Sequence, residues 1–306
     1  MTSLYPRWDP YGTAVYREPV RRSWLIVPAL DDRLLGQATG CGADVIVVDL
    51  EDGVHESKKP LARARFPSVL EPLVASGAEV FIRIGLDYLY ADIAAALWPG
   101  VVGLVLPKVA SAAEVREADE LVAEWEQRRG LPEVPEVHLC LETAAGNQHA
   151  AEIIKASPRV RSVSLGRADL VMDLRPDPAG NLVLMPYLLQ RLALIARACE
   201  VEPIGAWWAG DSRGMLASPE ATLLAAQRAR RSGFAGGLCV DPSQVAPLNR
   251  GFSPSAAEVA WARAASQADG ETGQRALAPR LLERAHQCEA RDGRTALASG
   301  LGRHDS

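Results

Sequence analysis

Much that would send this chain elsewhere is missing from it. No apolar run approaches the roughly 20 residues that a membrane span requires. The stretch Met1 to Pro19 is polar and mixed in charge and lacks the apolar core of a signal peptide. The five cysteines (Cys41, Cys140, Cys199, Cys239 and Cys288) form no CxxC pair, the usage expected of reduced thiols in a cytoplasmic protein; Cys140 and Cys239 read as small core residues. The five histidines (His55, His138, His149, His286 and His304) show no ligand spacing, which argues against zinc. A net charge of −5 gives no support for a nucleic-acid partner. No GxGxxG follows the first strand, so a dinucleotide fold has little support, and no internal repeat is present.

What is present is a chain of 306 residues, 48% hydrophobic, able to bury a large core. Its most informative segment is Val45-Ile46-Val47-Val48-Asp49-Leu50-Glu51-Asp52, an apolar β-branched run that ends in carboxylates. Such a run fits a strand buried on both faces, as in parallel sheets covered by helices. Further strands are predicted at Trp24–Pro28, Asp44–Leu50, Glu79–Ile84, Gly103–Pro107, Val137–Leu141, Ser162–Leu165, Pro203–Trp208 and Gly237–Val240. Between them Ala112–Arg129, Pro186–Cys199 and Pro219–Arg231 read as helices, the last capped by Ser218. Eight strand–helix units imply a (β/α)8 TIM barrel over residues 21–252, with 1–20 as an N-terminal arm. Residues 253–306 read as a helical extension in which Ala256–Ala265 and Ala276–Arg291 are helices, Gln267–Gly273 is a polar break and Gly293–Ser306 is a mobile tail.

In a parallel barrel, chemistry gathers where strands end. Polar groups stand there one after another: Asp49, Glu51 and Asp52, then Arg83, Pro107-Lys108, Glu142-Thr143, Gly166-Arg167-Ala168-Asp169, Asp211, and Asp241-Pro242. Glu142 and Asp169 supply hard oxygen ligands suited to Mg²⁺. Arg83 is costly to bury unpaired, so either a carboxylate such as Asp49 or Glu51 or an anionic substrate must face it. Gly166 permits a tight turn whose following N–H groups could receive a carboxylate. His138, inside an apolar strand, reads as a satisfied core residue.

At these positions the chain resembles the citrate lyase β-subunit and malyl-CoA lyase family of the HpcH/HpaI aldolase superfamily. Matching segments run in order from Arg21-Arg22-Ser23-Trp24 through Asp49-Leu50-Glu51-Asp52-Gly53, Lys59 with Ala62-Arg63, Ile82-Arg83-Ile84, Leu106-Pro107-Lys108, Leu141-Glu142-Thr143, Leu165-Gly166 with Asp169, and Gly233-Phe234-Ala235-Gly236, to Asp241-Pro242-Ser243. The resemblance implies a Mg²⁺-dependent lyase (Mn²⁺ is the other metal to consider) that cleaves or forms a malyl-, citramalyl- or citryl-type thioester, with a 2-oxo acid as the other partner. It implies that Glu142 and Asp169 hold the metal and that Arg83 polarises the thioester oxygen. Asp49 and Glu51 would orient Arg83 and water at the metal, and backbone amides at Gly166, Arg167 and Ala168 would hold a carboxylate. It also implies coenzyme A phosphate contacts at Arg22, Lys59 and Arg63, and a homotrimer or hexamer. Three departures stand out. Gly85 replaces an Asn, Asp241-Pro242 replaces His-Pro, and Asp269-Gly270-Glu271-Thr272-Gly273 lacks the Met of the family's C-terminal lid. The acid/base at the hydroxyl is therefore open, Asp269 reading better as a solvated linker residue. A thioester hydrolase or specialised condensing enzyme on the same site, and a non-catalytic subunit of a lyase complex, stay open as alternatives.

Overall fold

The computed structural model describes residues 19–132, 134–174, 185–206, 217–267 and 273–301. In chain order the elements are β1 (Ser23–Pro28), α1 (Asp32–Ala38), β2 (Val45–Asp49), α2 (Lys59–Ala75), β3 (Glu79–Arg83), α3 (Leu89–Ala96), β4 (Val101–Leu106), α4 (Ala112–Arg129) and β5 (Glu136–Cys140). They continue with α5 (Ala144–Gln148), α6 (Ala150–Ile154), β6 (Val160–Ser164), α7 (Arg167–Leu174), α8 (Met185–Ala198), β7 (Glu202–Ile204), α9 (Pro219–Arg231), β8 (Gly237–Cys239), α10 (Val245–Phe252), α11 (Ala256–Gln267) and α12 (Gly273–Leu301). The eight strands form one parallel sheet in the order β7-β6-β5-β4-β3-β2-β1-β8. A parallel bridge between Ile204 and Gly236 joins its two ends. The fold is the (β/α)8 barrel expected.

The Val/Ile run of β2 shows why the strands are apolar throughout. Val45 and Val47 point inward, into a cluster with Trp24, Phe81, Val105, Cys140, Ile204 and Ala235. Ile46, Val48 and Leu50 point outward, into the larger core beneath the helices. Both faces are dry, so alternation with polar residues would leave unpaired groups in the interior. Trp24 fills the barrel axis, its ring 4.9 Å from that of Phe81 and 4.8 Å from His138. Truncating it to Ala would remove about 3–5 kcal/mol. His138 is satisfied, Nδ1 and Nε2 lying 2.7 and 2.8 Å from the hydroxyls of Ser162 and Ser164. Burial, helped by the charge of Arg21, pushes its pKa down to about 3, so it stays neutral.

The helices begin and end where local chemistry allows. α4 carries a capping box between Ser111 and Glu114 and stops at Gly130, whose φ of 59° is left-handed. α9 is capped by Ser218, which accepts from the N–H of Ala221, with Pro219 in its first turn. α12 departs from expectation: instead of giving way to a mobile tail at Gly293 it runs to Leu301. Its anchor is polar, which an apolar pattern does not reveal. Arg291, buried to 6% exposure, donates to the carbonyl of Asp44 and pairs with Glu79 at 3.3 Å. Asp292 pairs with Arg22 at 2.6 Å. The helix thereby covers the end of the barrel where the strands begin. The break at 268–272 with Asp269, residues 302–306, the arm up to residue 18, the Trp207-Trp208 pair and Asp211 lie outside the described residues. Among the described residues no helix is long and apolar enough to cross a membrane.

Candidate active site

Five successive strand ends, β2 to β6, build the site. β2 delivers Asp49 and, one turn on, Glu51 and Asp52; β3 delivers Arg83; β5 leads to Glu142. Asp49 and Arg83 are register partners on adjacent strands, so their side chains leave the sheet side by side. Arg83 Nε and Nη2 donate to the two oxygens of Asp49 at 2.8 and 2.6 Å, a bidentate pair. Its Nη1 has longer contacts, 3.4 Å to Glu51 and 3.9 Å to Asp52, and remains the end free to meet a ligand. Asp49 is itself clamped by the N–H groups of Glu51 at 2.9 Å and Gly53 at 2.7 Å. Burial works against the Arg83 charge, but hydrogen bonding and attraction from Asp49 prevail and hold it firmly cationic.

Glu142 is 5% exposed and follows the end of β5. One oxygen accepts from the Lys108 N–H at 2.9 Å. The other lies where a Cβ on Gly166 would stand, so only glycine at 166 lets the β6 turn pass this carboxylate. Burial first, then the charge of Asp169, push the Glu142 pKa up to about 7. Asp169 sits in the first turn of α7, half-buried. Two neighbouring carboxylates, oxygen donors at an open rim, have the chemistry that suits a hard divalent cation completed by water or ligand oxygens. Among the described residues no group of three or more His, Cys, Asp or Glu side chains could hold an ion alone.

Lys108 was visible in the sequence at a strand end, but without a role. It takes φ 55°, a left-handed conformation rare for a residue with a side chain. That geometry turns its N–H toward Glu142 while its ammonium crosses to Glu51, to Asp52 at 2.9 Å and to Asp169 at 3.7 Å. Burial disfavours that charge, yet its hydrogen bonds to Glu51 and Asp52 raise the ammonium pKa above its usual value. Burial pushes Glu51 up, against Lys108 and Arg83, and gives this carboxyl a higher pKa than a free one. Nothing in the local sequence announced the backbone strain.

The three basic residues expected at coenzyme A phosphates are placed otherwise. Arg22 precedes β1, at the opposite end of the barrel from Glu142; its guanidinium meets Asp44 at 2.8 Å and Asp292 at 2.6 Å. Lys59 is buried, its Nζ donating to the carbonyls of Leu50 and Glu51 at 3.0 and 3.1 Å, where it braces the acidic turn from behind. Arg63 pairs with the buried Asp92 at 2.5 Å and lies 4.8 Å from the Tyr88 ring centroid. Arg22 and Arg63 are thus paired with carboxylates, and the Lys59 ammonium is held by two backbone carbonyls. The N–H groups of Arg167, Ala168 and Asp169 belong to the first turn of α7. Asp241 stays apart, capping its own turn by accepting from Ser243 at 2.8 Å.

Comparison with known proteins bears on the family of the chain. The family model for HpcH/HpaI aldolase/citrate lyase matches residues 22–242. An L-malyl-CoA/beta-methylmalyl-CoA lyase of Rhodobacter capsulatus is 31% identical over 257 residues, 77% of this chain and 79% of its own. A citrate lyase subunit beta-like protein of Deinococcus radiodurans is 32% identical over 262 residues, covering 83% and 87%. Among solved structures, a Mycobacterium tuberculosis protein in complex with magnesium, acetoacetate and coenzyme A superposes with a TM-score of 0.64 at 27% identity, over 89% of this chain and 97% of that one. The M. tuberculosis citrate lyase beta subunit with oxaloacetate and magnesium gives 0.60 at 27%, over 77% and 98%. With the family model spanning the barrel and relatives above 30% identity along most of its length, the chain belongs to the HpcH/HpaI aldolase/citrate lyase family.

Proposed function

We propose that the protein is a divalent-metal-dependent carbon–carbon lyase that reversibly splits a 3-hydroxyacyl thioester, of the malyl or citramalyl kind, into an acyl thioester and a 2-oxo acid. The observation that carries the reading is the meeting of Glu142, Asp169 and Asp49-bound Arg83 on one rim. Glu142 and Asp169 would hold Mg²⁺, and Mn²⁺ suits the same donors. When bound, the cation supplies Lewis-acid polarisation and a template for the oxygens of the 2-oxo acid. The structural neighbours that carry magnesium with oxaloacetate, or with acetoacetate and coenzyme A, support this choice.

The reaction moves the C2–C3 electron pair onto the acyl thioester as its enolate, while the 3-hydroxyl loses its proton and becomes the keto group. Arg83, through Nη1, meets the thioester oxygen and stabilises the charge that grows there. Asp49 acts through Arg83 by fixing both its orientation and its charge, and Glu51, shared between Arg83 and Lys108, holds that group together. The N–H groups opening α7 receive the 2-oxo acid carboxylate. Assembly into a trimer or hexamer belongs to the same reading. Apolar side chains at Met172, Tyr187 and Leu194, exposed at 77%, 60% and 73% on α7 and α8, give such an interface somewhere to form. Light scattering on the purified protein tests it.

Malyl-CoA and citramalyl-CoA assays test the chemistry. Acetyl-CoA with glyoxylate or pyruvate is the expected outcome. Free coenzyme A with intact malate would replace the lyase by a hydrolase, and turnover that survives exhaustive chelation would remove the metal from the reading.

A further inference from the structure

Among the described residues two that carry side chains take a positive φ, Glu200 at 58° and Lys108 at 55°. Glu200 has an ordinary reason. It sits just past α8, where the Val201 N–H returns to the Ala196 carbonyl at 2.9 Å and closes the helix in a left-handed turn. Lys108 follows a strand, so no helix end accounts for it. Its loop is held from outside instead: Val109 is fully buried, and its carbonyl accepts from the Thr143 hydroxyl at 3.2 Å. Glycine would take this conformation at little steric cost. A side chain kept there by its surroundings points to a position where backbone and side chain both have work to do.

The side chain decides a competition. Two acids of the β2 turn have two cations within reach. Glu51 lies 2.5 Å from the Lys108 ammonium and 3.4 Å from Arg83 Nη1; Asp52 lies 2.9 Å from the first and 3.9 Å from the second. Both acids therefore bond to Lys108 and stand back from Arg83. The other guanidinium nitrogens, Nε and Nη2, are taken by Asp49. Nη1 is not among the sealed-off nitrogens that lack a partner, and the Arg83 side chain keeps 16% of its surface exposed. A shift of about 0.5 Å would bring the Glu51 carboxylate to the roughly 2.9 Å of a charge-assisted hydrogen bond and close that edge. Among the described residues the cations paired with Glu51 are Lys108 and Arg83; without the first, the second is the one left.

We propose that Lys108 is a positioning residue: its ammonium holds Glu51 and Asp52 off Arg83, so that Nη1 stays open to the oxygen of a ligand, while its N–H fixes one oxygen of Glu142 at 2.9 Å. This rests on the lyase reading above. The left-handed backbone lets one residue do both, sending its N–H to one strand end and its ammonium to another.

The test is Lys108→Met in the full-length protein, which removes the charge and keeps the stem and the N–H, with Lys108→Gln as a second charge-removing change. A crystal structure of the Met variant is expected to show Glu51 at about 2.9 Å from Arg83 Nη1. The kcat/KM for malyl-CoA is expected to fall about tenfold to a hundredfold, the worth of one hydrogen bond to a charged group. Adding Glu51→Gln to Lys108→Met is expected to recover much of that loss, because a neutral amide competes for a guanidinium far less than a carboxylate does. In the parent the same change brings no gain, whereas a merely structural lysine would give losses that add. Glu51 left at 3.4 Å or beyond, an unchanged kcat/KM, a double variant no better than the single one, or a fold lost in both charge-removing variants overturns the inference and leaves the lyase reading standing. A parent that cleaves neither malyl-CoA nor citramalyl-CoA, but in whose Met variant Glu51 closes on Arg83, overturns the lyase reading and upholds the hold of Lys108 on the two acids.

Discussion

The two ends of the barrel are both lined with charge and use it in opposite ways. Where the strands begin, Arg21 reaches Glu79 at 2.7 Å and Glu136 at 2.6 Å, Arg22 reaches Asp44 and Asp292, and Arg291 reaches Glu79 and the Asp44 carbonyl. Cations and carboxylates interleave there, and α12 covers them. Where the strands end, among the described residues, Asp49, Glu51, Asp52 and Asp169 pair with Arg83 and Lys108, and Glu142 has no cationic side chain in an ion pair with it. The first end is electrostatically complete and serves the fold. The second carries surplus negative charge, which raises the Glu142 pKa and leaves the balance to be made up by a bound cation. A site that lowers the stability of its own empty state is prepared for its ligand.

The contrast can be broken at either end. Glu142→Gln or Asp169→Asn should reduce metal-dependent turnover by about a thousandfold or more, about 4 kcal/mol of barrier, while the unfolding midpoint holds or rises because like charges have been separated. Steady-state kinetics with malyl-CoA, read beside thermal unfolding, check both halves. Asp44→Ala should do the reverse. It leaves Arg22 and Arg291 buried without their carboxylate, a loss of about 3–5 kcal/mol measurable by urea unfolding.

A pH series sharpens the comparison at intermediate size. Glu142 moves from the usual 4.5 up to about 7 on folding, so between those values the folded state binds more protons than the unfolded one. Stability of the metal-free protein should therefore fall as pH rises through this window, by up to about 3 kcal/mol, and be restored below it. Saturating Mg²⁺ should abolish that slope, since a cation favours the ionised carboxylate. A metal-free protein whose stability is flat from pH 4.5 to 7 would contradict the strain assigned to Glu142. The smallest effect is expected from Asp292→Ala, which removes a partner 63% exposed on its side chain: about 0–1 kcal/mol, with turnover unaltered.

How much of this was legible beforehand depends on whether the controlling interaction is local. The strands were, because a layer buried on both faces must be written in consecutive apolar residues, as Val45–Val48 are. So was the placement of Glu142, because an acid so soon after such a run can stand only at one rim. The partners of Arg22, Lys59 and Arg63 were not legible, because a basic residue in sequence does not disclose what it meets: Arg22 meets Asp44, just before β2, and Arg63 meets Asp92 on α3. Lys108 needed its backbone dihedral to be understood, since the same residue in an ordinary conformation would not bridge Glu142 and Asp169. The helical end of the chain was underestimated because its anchor is made of guanidinium and carboxylate rather than apolar contacts.

That anchor also bears on how the molecule is made. Arg22 and Asp292 are 270 residues apart in the chain. During synthesis Arg21, Arg22, Asp44 and Glu79 are out of the ribosome long before the arginine and aspartate of α12 that complete their charge. The barrel floor therefore waits, half-neutralised, until α12 is translated. Contacts of such long sequence separation close late. A chain truncated before Arg291 would keep every side chain assigned to catalysis and still arrive at the end of synthesis with its floor open.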